Sequence, residues 1–293
     1  MSKAKKRTIL LYGRSRSGKS TQLGEMVEYV YRLTGKKSRI YTADKGGTDP
    51  LAPYIALGLV EVIEQGDTDI WIFLNKASNG YVRDSKGKWI PSDLSNIGMI
   101  AFESLTAFAD GLMASMVQKA SENISIGGGA NVSFTVSGDG ESLKVSGSNM
   151  AMYGIGQARI TDEVWRSQKL NTDYIIWTAS ASKDEDTNAG GKVIGPAVIG
   201  KALTAEVPRW FNLSFRIDAL PAQGGKPERH ILYLGNSVDT AAGNAVSLGN
   251  TRVPLDSPPL PSSIEPASLV RALDMIKDAE SKSLEIVKKR MNL

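Results

Sequence analysis

Two glycines, a lysine and a serine near the start of the chain have the types and the spacing that suit phosphate binding. Gly13 and Gly18 enclose four residues, and Lys19 and Ser20 follow directly. Glycines let a backbone turn tightly and bring its N–H groups close to an anion. A lysine then supplies a positive charge to the β- and γ-phosphates, and a serine hydroxyl ligates Mg²⁺. The spacing therefore predicts a loop that binds a phosphate chain together with a magnesium ion.

The stretches on both sides of this loop favour the same interpretation. The apolar run 9–12 predicts a strand, and apolar residues at helical spacing over 20–33 predict a helix that stops at Gly35. A strand, a glycine loop and a helix in this order form the motif of a P-loop NTPase, whereas the alternative is an ordinary turn of glycine and serine. The predicted nucleotide-binding residues are Gly13, Arg14, Ser15, Arg16, Ser17, Gly18, Lys19, Ser20 and Thr21, with Thr21 near the α-phosphate.

Two acidic residues are candidates for the chemistry, because each follows a short apolar strand. Asp44 follows the run 39–43, and Glu103 follows the run 97–102. The carboxyl ends of parallel strands meet at one edge of a sheet, beside the loop. There Asp44 can orient an attacking water, and Glu103 can hold Mg²⁺ through water or polarise the attacking water. Alternatively, both are acids that only stabilise a helix N-terminus. The predicted catalytic residues are Lys19, Asp44 and Glu103, and the predicted metal ligands are Ser20 and Glu103.

A further apolar strand, 173–180, ends in small hydroxyl residues. Ser180 stands where P-loop proteins place a polar sensor of the γ-phosphate, although a plain strand end is an equal alternative. The stretch 182–200 has little periodicity and predicts a mobile loop. Cations in and after this stretch can complete the nucleotide site of a neighbouring subunit or contact a DNA backbone. These candidates are Lys183, Lys192, Lys201, Arg209 and Arg252.

The composition restricts the class of protein. The chain has 293 residues, and its apolar fraction of 41% is enough for a full core. A net charge of +4 is compatible with nucleic acid as a partner. The absence of cysteine excludes disulfides and thiol chemistry, and a single histidine, His230, argues against a histidine metal centre or a catalytic triad. Since no apolar run reaches the length of a signal peptide or a membrane span, we expect a cytoplasmic protein without membrane contact.

The remaining patterns predict additions to one α/β domain over 1–252. The stretch 121–150 is rich in glycine, serine and asparagine, and its alternating apolar residues predict an inserted hairpin. This hairpin can contact DNA or a neighbouring subunit, or it can be a plain surface feature. Alternation over 210–217 and 229–234 predicts an antiparallel hairpin at the edge of the sheet.

The end of the chain has a different character. A proline-rich linker over 253–266 leads to a stretch, 267–293, with apolar residues at helical spacing. Such a pattern predicts an amphipathic helix on an extended tether. We expect this helix to dock on its own core, with docking on a neighbouring chain as the alternative.

Several stretches, taken in order, carry a likeness to a known family. They are ILLYGRSRSGKST, RIYTADKGGTDP, IGMIAFESLTAF, YIIWTASAS followed by a loop ending in GKAL, RHILYLGN and NTRVP. Over roughly 7–254 the chain resembles the phage-encoded RecA-like nucleotide-binding proteins, a group that includes ATPases associated with single-strand annealing. The resemblance implies a RecA-like, mainly parallel sheet flanked by helices, ATP with Mg²⁺, self-assembly into a ring or filament, single-stranded DNA as partner, and the host cytoplasm as location.

Three positions align with functional positions of the family but carry a different residue type from the usual one. Asp44 matches the acid at the end of the second strand, which family members often have as glutamate. Glu103 matches the Walker B acid, where aspartate is usual, and Ser180 stands where relatives often carry histidine or an amide side chain. The hairpin in 121–150 and the C-terminal helix are not obvious family features, so a specialised role can reside there.

Two functions of different classes follow. The first is a DNA-dependent ATPase in phage recombination or replication. The second is a nucleotide-stabilised oligomeric assembly protein with little or no hydrolysis, which the glutamate at position 103 motivates. A small-molecule kinase is less favoured, because the loop 182–200 contains lysines but none of the arginines usual in a kinase lid.

Overall fold

The fold is known from a computed structural model, which describes the chain except for residues 1–5, 45, 124–130, 139–140, 149–151, 187–190, 223–227, 236, 240–244, 248 and 293. The strands in chain order are β1 (Arg7–Gly13), β2 (Lys37–Thr42), β3 (Val60–Glu64), β4 (Tyr81–Arg83), β5 (Trp89–Pro91), β6 (Ile97–Glu103), β7 (Asn131–Gly138), β8 (Glu141–Ser148), β9 (Tyr174–Asp186), β10 (Gly191–Pro196), β11 (Leu213–Leu220), β12 (Arg229–Tyr233), β13 (Ser237–Asp239), β14 (Ala245–Ser247), β15 (Asn250–Thr251) and β16 (Ser263–Ile264). The α-helices are α1 (Lys19–Thr34), α2 (Ala52–Ala56), α3 (Ile70–Ser78), α4 (Leu105–Asn123), α5 (Met152–Ser167), α6 (Lys201–Glu206) and α7 (Leu269–Met291).

A mainly parallel sheet forms the centre of the fold. Its strand order is β3-β2-β6-β9-β1-β11-β12-β16, in which the first six strands are parallel, and β12 and β16 are added at one side through antiparallel pairing. The carboxyl ends of the six parallel strands therefore share one edge, which we call the carboxyl edge. The architecture is an α/β fold with a mainly parallel sheet flanked by helices, and it is compatible with a Rossmann-like or a RecA-like fold.

Helices cover both faces of this sheet. In the central strand β1, Ile9 and Leu11 pack in a cluster with apolar residues of α1 and α7, whereas Leu10 and Tyr12 pack in a second cluster with residues of α3, α4 and α5. All seven residues of β1 are buried. A parallel strand covered on both faces is apolar without alternation, and this explains the continuous run in the sequence.

The predicted mobile loop over 182–200 is wrong for the part that the structure describes. Strand β9 continues to Asp186, well past the level of Gly13, and pairs antiparallel with β10. Strand β14 then pairs with β10. The buried side chain of Ile194 and a hydrogen bond of 3.2 Å from the Tyr12 hydroxyl to the Ile194 carbonyl anchor this arm to the core. The arm extends the sheet beyond the carboxyl edge.

The two other predicted hairpins correspond to paired strands. Strands β7 and β8 pair over 131–148 as a separate two-stranded sheet. Strands β11 and β12 pair at the end of the parallel region. None of the described helices combines the length and the apolar character needed to cross a membrane.

The C-terminal helix α7 packs along α1. Its buried face includes Leu273 and Ile276, and the carboxylate of Asp274 accepts a hydrogen bond of 2.5 Å from the Tyr29 hydroxyl. Near the middle of α7, Glu280 forms a two-pronged ion pair with Arg7 at the start of β1. The proline-rich stretch before α7 is tied to the fold as well, since β16 adds to the sheet beside β12.

Candidate functional site

The loop of residues 13–20, called the glycine loop below, lies at the carboxyl edge between β1 and α1. Gly13 ends β1 and is paired with Ser180 of β9. On the far side of β9, Glu103 ends β6 and is paired with Thr42 of β2. The topology therefore gathers the ends of β1, β2 and β6 and the middle of β9 around the glycine loop.

Close packing at position 13 and the backbone conformation at position 18 both require glycine. A Cβ atom at Gly13 would lie 2.1 Å from the carbonyl oxygen of Ile217 in the neighbouring strand β11. Gly18 has a φ of 96°, in the left-handed region that side chains disfavour, and α1 begins directly after it. The 16-residue helix directs the positive end of its dipole at the loop, which favours an anion there.

Lys19 lies folded over the glycine loop. Its ammonium donates hydrogen bonds of 3.0 Å to the carbonyl oxygens of Gly13 and of Arg14. Burial lowers the pKa of Lys19, while the nearby carboxylates of Glu103 and Asp44 act in the opposite direction. A lysine on a flexible stem can exchange carbonyl oxygens for phosphate oxygens when an anion enters the loop.

Ser20 and Glu103 form the closest polar contact of the site. The Ser20 hydroxyl donates a hydrogen bond of 2.6 Å to Oε1 of Glu103. Glu103 is only 3% exposed, and its other oxygen, Oε2, is buried with no hydrogen-bond partner among the described residues. Burial raises the pKa of Glu103 to about 7, although the Ser20 hydrogen bond and the charge of Lys19 oppose the shift.

The predicted catalytic residues surround one opening of about 340 Å³, called the first cavity. Asp44 is exposed and lines the same opening as the buried Glu103. The lining consists of loop residues, of strand-end residues and of the turn after β2, namely Ser15, Arg16, Lys19, Ser20, Asp44, Gly46, Gly47, Pro50, Glu103, Ser104 and Ser180. The first cavity thus brings together all the predicted catalytic and metal-ligating residues and the predicted sensor.

The donor set fits a magnesium ion. A carboxylate oxygen without a partner and a serine hydroxyl are both hard oxygen ligands of the kind that Mg²⁺ prefers. The described residues contain no group of three or more His, Cys, Asp or Glu side chains arranged to hold a metal. Mg²⁺ does not require such a cage, because it keeps several waters and takes one or two protein ligands beside phosphate oxygens.

The opposite side of the glycine loop carries another opening, of about 380 Å³, called the second cavity. Its lining comes from the loop, the first turns of α1, strands β11 and β12 and the segment before α7, namely Ser17, Gly18, Thr21, Gln22, Glu25, Ile217, Glu228, Arg229, His230, Glu265, Pro266 and Ala267. Thr21, predicted to lie near the α-phosphate, is therefore on this side.

His230 is a site residue that the sequence reasoning missed. Its Nδ1 atom lies 3.0 Å from the carbonyl oxygen of Ser17, and because a carbonyl only accepts, Nδ1 carries the hydrogen. His230 thereby fixes the middle of the glycine loop. The alternating apolar residues over 229–234 predict a hairpin of β12 with β11. The contact of His230 with the glycine loop could not be predicted from that pattern, because it depends on the order of the strands around β1.

Of the predicted trans-acting or DNA-contacting cations, the two whose side chains the structure describes, Arg209 and Arg252, do not lie at the glycine loop. Arg209 and Arg252 lie at the opposite, amino edge of the sheet, where Arg252 donates a hydrogen bond of 3.2 Å to the carbonyl oxygen of Arg209. The side chains of Lys183, Lys192 and Lys201 lie outside the described residues. Their backbones place the first two on the β9–β10 arm and the third at the start of α6.

Comparison with known proteins assigns this chain to no family. A scan of the chain against protein-family models finds no match, and a search of curated proteins finds no similar sequence.

Proposed function

We propose that this protein is a RecA-like P-loop ATPase that binds ATP with Mg²⁺ at the glycine loop and hydrolyses it. The observation that carries the proposal is the contact between Ser20 and Glu103, with Lys19 beside it at the N-terminus of α1. A hydroxyl, a carboxylate and an ammonium are the three groups that a P-loop site needs for the metal and the phosphates.

The order of the strands supports a RecA-like assignment over a Rossmann-like one. In the common doubly wound orders, the first and second strands of the chain are neighbours. Here β9 and β6 lie between β1 and β2. As a result, the acid at the end of β6 is close enough to reach Ser20 of the loop, which is the position of a Walker B acid.

The two acids of the first cavity have different roles in this proposal. Glu103 is buried and bonded to Ser20, so these two residues hold the magnesium ion directly or through water. Bound Mg²⁺ supplies charge neutralisation to the phosphate oxygens. Asp44 is an exposed residue of the same cavity, where it can accept a proton from the attacking water.

The reaction is then a transfer of the γ-phosphoryl group to water. The water oxygen bonds to the γ-phosphorus, the bond from that phosphorus to the bridging oxygen of the β-phosphate breaks, and Asp44 takes the proton of the water. Lys19 stabilises the negative charge on the phosphate oxygens, and the glycine loop aligns them. Ser180 lines the same cavity, and in this proposal it contacts the γ-phosphate.

Single-stranded DNA and further copies of the chain are the proposed partners, on the basis of the resemblance to phage RecA-like proteins. Arg209 and Arg252 lie far from the glycine loop of their own chain. If they serve the reaction, they do so at the site of a neighbouring subunit or on a nucleic-acid backbone. The alternative remains a nucleotide-stabilised assembly protein with little hydrolysis, which the glutamate at position 103 motivates.

The test is phosphate release from ATP by the purified chain, with Mg²⁺, with and without single-stranded DNA. We expect turnover that DNA stimulates and that Lys19→Ala abolishes. The matched control is Lys36→Ala, because Lys36 pairs with Asp173 at 3.3 Å near the amino edge of the sheet. ATP binding with negligible turnover under both conditions would support the assembly protein instead, and failure to bind ATP would overturn both.

A further inference from the structure

The glycine loop and the first turn of α1 separate the two cavities and contribute residues to both. Arg16, Lys19 and Ser20 line the first cavity, whereas Gly18 and Thr21 line the second. A phosphate chain bound at the N-terminus of this helix therefore has one end in each cavity. The metal-ligating groups all lie on the first side, so the end that carries the γ-phosphate belongs there. The other end of the phosphate chain, to which a nucleoside is attached, opens into the second cavity.

The shape and lining of the second cavity suit a base and a sugar. Its volume of about 380 Å³ lies within the range of small-molecule sites. Ile217, Pro266 and Ala267 provide apolar surface, and Glu25 and Arg229 provide polar groups at the same opening. An apolar cleft with a few polar groups is the usual form of a site for a planar heterocycle with a hydroxylated substituent.

One wall of this cavity comes from the segment 265–267, which connects β16 to α7. This segment is bonded to the core on the other wall, since the Ala267 N–H donates a hydrogen bond of 2.8 Å to the His230 carbonyl oxygen. It is also bonded to α1. The Gln22 side chain accepts a hydrogen bond from the Leu269 N–H and donates one of 3.3 Å to the Ala267 carbonyl oxygen.

These contacts join the second cavity to the docking of α7. The Ser268 hydroxyl, which caps the N-terminus of α7, donates a hydrogen bond of 3.4 Å to Glu25 of α1. His230 contacts the glycine loop through its side chain and the segment before α7 through its carbonyl. A ligand between these walls contacts the glycine loop, α1 and the segment before α7 at once. Such a ligand binds the docked arrangement in preference to an undocked one, and it stabilises docking by mass action.

We propose that the second cavity holds the base and sugar of the nucleotide, and that nucleoside binding strengthens the docking of α7 through the segment 265–267. The inference rests on the proposed function, because it requires a phosphate chain at the glycine loop. It adds a role for the C-terminal helix, because the docking of α7 is more stable with a bound nucleoside triphosphate than with a bare phosphate chain.

The test compares ATP with inorganic tripolyphosphate, which carries the phosphate chain without a nucleoside. Isothermal titration with Mg²⁺ measures both affinities for the unaltered chain and for Ala267→Phe, which fills the second cavity. We expect ATP to bind the unaltered chain at least about tenfold more tightly than tripolyphosphate. Ala267→Phe should remove this advantage and leave the tripolyphosphate affinity within about threefold. The matched control is Ala158→Phe, at an exposed position of α5 on the other face of the sheet.

A second measurement on the unaltered chain keeps the inference testable if Ala267→Phe does not fold. Hydrogen exchange of the amides in 269–283 should slow with ATP and stay unchanged with tripolyphosphate. Equal protection by the two ligands, or equal affinity for them, would overturn the inference and leave the proposed function in place. If neither ligand bound the unaltered chain, the proposed function would fail and the inference with it.

Discussion

The Ser20 hydroxyl donates a 2.6 Å hydrogen bond to Oε1 of Glu103, a residue 83 positions further along the chain. The contact connects the first turn of α1 to the end of β6, across the intervening strand β9. It occupies one carboxylate oxygen and leaves the other buried without a partner among the described residues. A buried carboxyl in this state is expensive to ionise without a cation, and several measurable consequences follow.

The first consequence concerns stability against pH. Since burial raises the pKa of Glu103 from its usual 4.5 to about 7, the folded chain holds this proton more tightly than the unfolded chain does. This difference contributes to the free energy of unfolding in full below pH 4.5. The contribution falls by roughly 3 kcal/mol as the pH rises to 7. Glu103→Gln keeps a hydrogen-bond acceptor for Ser20 without a charge, so we expect it to unfold at higher urea than the unaltered chain above pH 7.

Urea unfolding of both proteins between pH 4 and 8 checks this expectation. The quantity to follow is the difference in the free energy of unfolding between variant and unaltered chain, because other groups that titrate contribute equally to both. Glu64→Gln, at the exposed end of β3, is the matched control. A difference that stays constant across the range for Glu103→Gln would show that this carboxyl ionises normally.

The second consequence concerns magnesium. A carboxyl must lose its proton to ligate a metal, so Mg²⁺ with nucleotide should displace the proton of Glu103. At pH 7, near the pKa of this group, we expect release of about half a proton for each complex formed. Calorimetric titration in buffers of different ionisation enthalpy measures the number. The release should disappear in Glu103→Gln, and an unchanged release in that variant would assign the proton to another group.

Much of this site follows from local sequence. The strand 9–12, the glycine spacing and the helix after it are consecutive, and Gly13 and Gly18 have the backbone environments that their residue type indicates. The placement of Asp44 and Glu103 at the same edge of the sheet as the loop needs only one further assumption, that strands 39–43 and 97–102 are parallel to the first, whereas their distance from the loop depends on the order of the strands. Hydrophobic runs buried on both faces justify that assumption.

Other parts depend on pairing between distant residues. The stretch 182–200 carries charges and glycines without alternation, and it forms an arm because β9 and β10 pair with each other beyond the sheet. The contact of His230 with the glycine loop depends on β12 lying next to β11. The second cavity exists because the chain returns to α1 after 245 residues, from Gln22 to Ala267. Composition and periodicity contain no information on such returns.

The division of roles between the two acids gives a third prediction. Asp44→Asn removes the proton acceptor and leaves the metal-ligating pair Ser20 and Glu103 intact. We expect the rate of a single turnover of ATP to fall by about 10²–10⁴-fold, because general base catalysis contributes that much. The affinity for ATP should stay within about threefold, since binding depends on Lys19 and the metal.

Single-turnover hydrolysis and equilibrium titration separate these two effects. Asp49→Asn is the matched control, because Asp49 is exposed in the same connection after β2 but does not line the first cavity. If Asp44→Asn hydrolyses ATP at the normal rate while Glu103→Gln binds Mg²⁺ but does not hydrolyse, the base is Glu103 and the proposed roles are reversed.

The last prediction uses the close packing around Gly13. In Gly13→Ala the new methyl group would lie 2.1 Å from the carbonyl oxygen of Ile217, which is backbone and cannot rotate away. Strands β1 and β11 must then separate locally, and we expect a loss of about 2–3 kcal/mol in the free energy of unfolding. The matched control is Gly154→Ala in α5, where a Cβ meets nothing within 4 Å and should raise stability by up to about 1 kcal/mol.

Chemical denaturation of the two alanine variants measures the contrast, and nucleotide titration of Gly13→Ala extends it to function. Lys19 donates to the carbonyl oxygen of Gly13, so a displaced Gly13 also displaces the partner that holds the ammonium over the loop. We therefore expect Gly13→Ala to lose ATP affinity at temperatures where it is still folded. Normal stability of Gly13→Ala would mean that β1 and β11 are further apart at the glycine loop than described, and would weaken the case for a phosphate site built on their packing.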